Sequence, residues 1–393
     1  MTKLEQLINE YCPNGVEFKK IKEIYKRIKG TPITAGKMKE IENPAGDIRV
    51  FAGGKTVINA FEEDIPNANI TRVPAVLVQS RGVIDAVYYD KPFTFKNEMW
   101  AYTAENPIAV KFLYYVLKNN VQQFRDVASG MGALPQISLP VTEEFVMPVP
   151  PIEVQREIVR ILDNFTELTA ELTAELTARK KQYDYYKDIL LTFENTPYKT
   201  LEELCDIVDY RGKTPRKVAE GIFLITAKNI RKGFIDYEKS QEFIAPEDYD
   251  EVMRRGIPKR GDVLFTTEAP CGNVAQVDDE NIALAQRIIK YRPKTKELNS
   301  TFLKFILLGN EFQEKLIKEA TGGTVKGIKG SKLHKLTIPI PPIETQESIV
   351  AILDRFDTLC NDISTGLPAE IEARQKQYEY YRDKLLTFKE LKA

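Results

Sequence analysis

A single histidine, His334, and four cysteines at 12, 205, 271 and 360 are the whole stock of imidazole and thiol ligands in 393 residues. The cysteines show no CxxC spacing, which argues against zinc frameworks and for free thiols in a reducing, cytoplasmic compartment. One histidine and unclustered cysteines leave no His- or Cys-based metal site to assemble. Long apolar runs are also missing, so no membrane span is expected, and the start MTKLEQLINEYC lacks the apolar stretch of a signal peptide. Net charge is nearly absent, at −1 from 56 basic and 57 acidic residues. No GxGxxG follows a strand. Gly53-Gly54-Lys55-Thr56 resembles the tail of a phosphate loop, but Arg49 stands where that loop needs glycine, and a hairpin tip is the better reading. Asn43-Pro44-Ala45 lacks the second proline and the aromatic of an amino-methyltransferase signature. The chain is therefore expected not to be an enzyme by itself and to bind no cofactor of its own.

What it does have is a duplication. Residues 148–165, PVPPIEVQREIVRILDNF, return as 339–356, PIPPIETQESIVAILDRF, with twelve of eighteen positions identical at an offset of 191. RKKQYDYYKDILLTF at 179–193 returns as RQKQYEYYRDKLLTF at 374–388, with eleven of fifteen identical at an offset of 195. A solenoid would repeat every 20–50 residues; here half of the chain is repeated. The plan is block 1 at 1–148, a helical spacer at 149–193, block 2 at 194–338 and a second helical region at 339–393.

In the spacer, apolar residues recur at three- and four-residue steps, and neither glycine nor proline interrupts 153–193. The stripe includes Ile158, Leu162, Phe165, Leu172, Leu176, Tyr183 and Tyr186; its copy includes Ile349, Leu353, Phe356, Tyr378 and Tyr381. A helix of roughly 60 Å is expected, and an apolar face of that length needs a partner, for which its own copy is the obvious choice. The copy is interrupted by Gly366-Leu367-Pro368, so one long helix and one broken pair are expected, packed as an antiparallel coiled coil.

The blocks read as mixed helix and strand, giving an α+β fold. Strand-like runs RVFAG, AVLVQS and VIDAVYY, the latter two a hairpin about Arg81-Gly82, precede one helix near 107–126. In block 2, FLITAKNI, GDVLFTT and CGNVAQV precede one helix near 299–320. The GTP at 30–32 and GKTP at 212–215 are expected to be turns leaving short helices. Charge is distributed unevenly: 19–39 holds eight Lys/Arg to one Glu, 211–233 seven to one, and 315–335 six to one. Each run alone could be a solvated face; three at matching landmarks favour a polyanion. Candidate DNA contacts are Lys29, Thr31, Lys55, Gln79 and Arg81 in block 1, and Arg211, Lys213, Thr214, Lys228, Asn229, Thr266, Lys326, Lys329 and Lys332 in block 2. The lysines suit phosphate, while Thr214, Lys228, Asn229 and Thr266 lie near strand or loop ends that could reach base edges.

The paired PxPPIExQxxIVxILDxF and RxKQYxYYxxxLLTF stretches, GLPAEIEAR at 366–374, and TAELTAEL at 169–176 resemble the specificity subunit of a type I restriction–modification system, in its TAEL-repeat branch. GDVLFTTEAPCGNVAQV and TGGTVKGIKGSKLHKLTIPIPP are similar to its target-recognition domains; block 1 matches them only through PAVLVQSRG (74–82) and GMGALPQIS (130–138). The resemblance implies two recognition domains related by a pseudo-two-fold, each reading half of a bipartite double-stranded DNA site. It also implies two methyltransferase subunits on the helices and motor-nuclease subunits beside them. S-adenosylmethionine, ATP and Mg would then belong to those partners, which methylate adenine N6 and cleave. The competing reading is a coiled-coil scaffold that reads no DNA.

Overall fold

The structure is a computed structural model and describes residues 2–54, 56–129, 134–210, 215–322, 326–362 and 365–391. It divides into two units, Met1–Thr173 with Ile371–Ala393, and Ala174–Glu370. No helix among the described residues is long and apolar enough to cross a membrane.

Block 1 opens with α1 (Lys3–Tyr11), held at its start by a reciprocal Thr2–Glu5 capping box. Strand β1 (Glu17–Lys20) and the single turn α2 (Ile21–Ile24) follow, then β2 (Lys26–Lys29) and α3 (Ala35–Ile41). Next come β3 (Ile48–Phe51), β4 (Val57–Ala60), β5 (Ala75–Gln79), β6 (Asp85–Tyr89), β7 (Phe93–Phe95) and β8 (Trp100–Thr103). Helices α4 (Pro107–Asn119), α5 (Val121–Asp126) and α6 (Leu139–Glu143) lead to β9 (Val146–Val149). After α7 (Ile152–Leu190) the plan repeats: β10 (Tyr198–Thr200), α8 (Leu201–Leu204), β11 (Cys205–Asp209), β12 (Ile222–Ile225), β13 (Phe243–Ile244) and α9 (Tyr249–Val252). Then come β14 (Val263–Thr267), β15 (Cys271–Gln276), β16 (Ile282–Leu284), β17 (Ile288–Pro293), α10 (Ser300–Leu308), α11 (Asn310–Glu319), α12 (Gly330–Leu333) and β18 (Thr337–Pro339). The chain closes with α13 (Ile343–Asn361) and α14 (Leu367–Leu385).

The blocks share little sequence, yet their sheets match strand for strand. The order β2-β8-β5-β6 has its counterpart in β11-β17-β14-β15, β4-β3-β7 in β13-β12-β16, and β1-β9 in β10-β18. Even the one parallel pairing in each small sheet recurs, β3 with β7 and β12 with β16. Strand β5, AVLVQ, thus occupies in unit 1 the place of VLFTT in unit 2, and all five of its residues are buried. The expected hairpin is present, with Leu77 opposite Val87, and the expected glycine-rich tip joins β3 to β4.

Three expectations need correction. The helix near 107–126 is two helices, because Asn120 leaves helical geometry at its own cap and its Nδ2 donates to the Val116 carbonyl at 2.8 Å. The helix near 299–320 breaks at Gly309, whose extended backbone (φ −68°, ψ 148°) ends α10. The GTP at 30–32 leaves a strand, since Lys26–Lys29 pairs antiparallel with β8 rather than extending the turn α2.

The helical regions come out as expected, one 39-residue helix and one broken pair. Gly366 is required at the break, where a Cβ would lie 2.4 Å from the Thr358 carbonyl oxygen. Each unit builds its helical pair from both copies. In unit 1, Phe165 stacks on Tyr381 at 5.6 Å and meets Tyr378 edge-on at 6.4 Å. In unit 2 the duplicate Phe356 stacks on Tyr186 at 5.8 Å and Tyr183 at 6.1 Å. The phenylalanine always comes from one copy and the tyrosines from the other. Such aromatic pairs contribute about 1 kcal/mol each beyond their area. Leu172 and Leu176 are half-buried.

The stripe's upper residues do something not foreseen. Ile158 and Leu162 lie in the unit 1 core with Phe112, Leu113 and Val116 of α4. Ile349 and Leu353 lie in the unit 2 core with Phe302, Phe305 and Ile306 of α10. The helices therefore carry the recognition blocks as well as pairing with each other. Duplicated polar contacts fix the same joints. Asp163 takes Lys111 of α4 at 2.8 Å, and its copy Asp354 takes Lys304 of α10 at 3.6 Å.

Gln155 and Gln346 are both buried and both donate to the carbonyl five residues back, that of Pro150 at 2.7 Å and of Pro341 at 2.8 Å. Gln346 also donates to the Glu297 carbonyl and accepts from the Asn299 amide, tying α13 to the start of α10. Among the described residues Gln155 Oε1 meets no hydrogen-bond partner. Gln346→Ala should accordingly destabilise its unit by about 3 kcal/mol, and Gln155→Ala by about 1 kcal/mol. Chemical denaturation of the full chain, with hydrogen exchange to separate the units, measures both.

Candidate nucleic-acid interface

In each unit three connections meet at one end of the large sheet. In unit 2 these are the β14–β15 turn, the β16–β17 connector and the loop after α11. The Thr321 and Gly327 backbones bond to each other in both directions at 2.9 Å, closing that loop on itself. The Ile328 amide then donates to the Thr267 carbonyl at 3.0 Å, docking the loop on β14. The connector is held by Thr267, whose amide and hydroxyl both donate to the Arg287 carbonyl at 3.0 and 3.2 Å. Arg287 itself sits at φ +74°, where few residues other than glycine reside, and its Nε meets Glu268 Oε1 at 2.9 Å. The resulting open hollow is lined by Thr267, Glu268, Gln286, Arg287, Thr321 and Lys329.

Unit 1 repeats this scaffold. Ser129 and Gln136 bond in both directions at 3.0 Å, and the Ile137 amide donates to the Ser80 carbonyl at 2.9 Å. Ser80 Oγ in turn donates to the Glu98 carbonyl at 2.6 Å, holding the β7–β8 connector. The described residues of GMGALPQIS and GGTVKGIKG thus share one backbone device, with Gln136 in the place of Gly327. The β3–β4 tip joins the same surface through Gly54, whose amide donates to the Arg81 carbonyl at 3.1 Å.

The candidate contacts separate on this frame. Lys29, Arg81, Lys228, Lys326 and Lys329 are exposed. Lys332 is exposed too, but pairs with Glu319 at 2.9 Å. Lys55, Arg211, Lys213 and Thr214 lie outside the described residues. Four others have internal employment. Thr31 is fully buried, its hydroxyl sharing a 2.7 Å bond with Thr94 and accepting from the Asn69 amide. Asn229 is fully buried with its carboxamide spent on Thr226, Asp236 and Ser240, so it braces the 226–240 loop. Thr266 is buried at a bulge in β14, its hydroxyl accepting from the Asn273 amide at 3.0 Å. Gln79 is buried and donates to the Gly54 carbonyl at 2.9 Å, pinning the tip. Their place near strand ends was legible in the sequence; their inward direction was not, because it depends on a bulge and on loop closure. Glu268 and Arg287 were missed, being an acid and a lone arginine outside the basic runs. His334, half-buried, shares a 3.1 Å contact with the Tyr291 hydroxyl.

A buried charge cluster lies within the unit 2 sheet. Lys290 is buried 3.5 Å from Asp262, which also takes Arg292 through two bonds of 2.6 and 2.7 Å. Desolvation first, then the neighbouring Arg292, lower the Lys290 ammonium below the usual lysine range, against the pull of Asp262. This network braces GDVLFTT and offers DNA nothing.

Taken together, these features define a duplicated recognition protein, two like α/β modules whose variable loops converge at one end of a sheet. Residues 13–179 and 194–373 match the profile of the type I restriction modification DNA specificity domain, and the chain belongs to that family. It is 33% identical over 360 residues to the Type I restriction enzyme EcoR124I/EcoR124II specificity subunit of Escherichia coli, covering 87% of each chain. A putative type I restriction enzyme specificity subunit of Haemophilus influenzae is 31% identical over 316 residues, covering 75% of this chain and 77% of that one. The fold is similar to the crystal structure of the type I S subunit from M. genitalium, at a TM-score of 0.62 and 16% identity over 95% and 96% of the two chains. The chain is thus a specificity subunit, whose part in a type I system is DNA recognition and not catalysis, and the scaffold reading is not favoured.

In complex with its partner subunits, Lys326→Ala/Lys329→Ala should weaken DNA binding and reduce the salt slope by about 2. An Asn229→Ala change should instead lower stability without altering base preference. Titrations at several salt concentrations and melting curves separate the two.

Proposed function

We propose that each unit reads one half of a two-part double-stranded DNA target and that α7 fixes the gap between the halves. The observation that carries this is the identical strand order of the two units, joined through one helix whose division point, between Thr173 and Ala174, falls inside the TAELTAEL tract. Like modules suit half-sites, and a helical tract between them suits a spacer. Exposed Tyr185, Ile189, Ile352 and Tyr380 on the helices offer apolar surface to two methyltransferase subunits, with motor-nuclease subunits joining that assembly. S-adenosylmethionine, ATP and Mg belong to those partners, and the methyl group goes to adenine N6. This chain supplies the address.

One TAEL unit adds about 6 Å of helix, which corresponds to roughly one to two base-pair rises. Deleting residues 173–176 should therefore shorten the spacer of the methylated target by about that much and leave both half-sites unchanged. A target with its spacer intact would remove the ruler.

A further inference from the structure

Equivalent backbone positions in the two units carry side chains of opposite charge. Arg81 follows β5 and bridges Gln136; Glu268 follows β14 and bridges Gly327. In both, the preceding carbonyl, of Ser80 or Thr267, accepts from the next residue of the docked loop, Ile137 or Ile328. The scaffold is common and the side chain is what changes. Arg81 is exposed, and the Glu268 side chain is 44% exposed.

A carboxylate is an odd occupant of a surface facing phosphate. Beside Lys329 and paired with Arg287, it adds no attraction for the DNA backbone, the term that dominates non-specific binding. Its use must lie elsewhere. As an acceptor-only group it matches the N4 amino group that cytosine presents in the major groove, where an arginine matches the O6 and N7 acceptors of guanine. Arg287 keeps the Glu268 carboxylate oriented from below, through the 2.9 Å Nε contact, on a backbone held at φ +74° by both Thr267 bonds. Strain held by its surroundings in this way is characteristic of working sites.

We propose that this position after the hairpin strand determines specificity in each unit: Glu268 accepts from a cytosine N4 amino group in one half-site, Arg81 donates to a guanine in the other, and Arg287 is the positioning residue for Glu268. The proposal rests on the bipartite-reader assignment and adds base identity to it.

The test is sequencing of N6-methyladenine in DNA of cells expressing the chain with its methyltransferase partner. Glu268→Gln should relax one C·G pair of a single half-site, discrimination there falling about 10-fold or more, with the other half-site intact. Glu268→Arg should move the preference at that pair toward guanine on the same strand. Arg81→Gln should relax one pair of the opposite half-site. Retention of the untouched half-site shows that the variant is folded and assembled. Motifs unchanged in Glu268→Gln and Arg81→Gln overturn the proposal, as does methylation that falls at all sites with the same base preference. Absence of any two-part motif with the unaltered chain is a different result, and it defeats the bipartite-reader assignment itself.

Discussion

A 39-residue helix with an apolar stripe must cover that stripe, and the way this chain covers it organises everything else. Within unit 1 the stripe meets the tyrosines of α14, and within unit 2 the tyrosines of α7 meet the phenylalanine of α13. Neither copy of the helical region can complete a pair from its own residues. The exchange explains why these regions stayed alike while the blocks between them diverged in sequence, since each must fit the other.

The same helices hold the recognition blocks in place. Asp163 and Asp354, at equivalent positions, anchor α4 and α10 by lysine, and Gln155 and Gln346 fasten the proline entry. Each block is therefore fixed to a rigid element close to its own sheet. Loops set on such a frame can change side chains without moving their backbones. Arg81 and Glu268, opposite in charge and alike in hydrogen bonding, show that freedom at one position.

Much of this was legible in the sequence. The duplication, the unbroken α7, the break at Gly366-Leu367-Pro368 and the β5–β6 hairpin follow from spacing and from the chemistry of glycine and proline. The equivalence of AVLVQ and VLFTT was signalled only by the weak match of PAVLVQSRG, because a fully buried strand needs only apolar residues and many sequences supply them. Direction was the other loss. Asn229, Thr266, Thr31 and Gln79 are polar residues near loop ends, as DNA contacts are, but each turns inward to satisfy a backbone group. The stripe was assigned wholly to helix pairing because periodicity shows that a face is buried, not what buries it.

The central claim is that this chain chooses where a partner methylates DNA. Its most direct test is single-molecule sequencing of host DNA for N6-methyladenine, with and without the chain, the methyltransferase partner being expressed in both. A two-part motif with a gap of fixed length that disappears when the chain is removed is the predicted result. A methylation pattern indifferent to the chain would contradict the account.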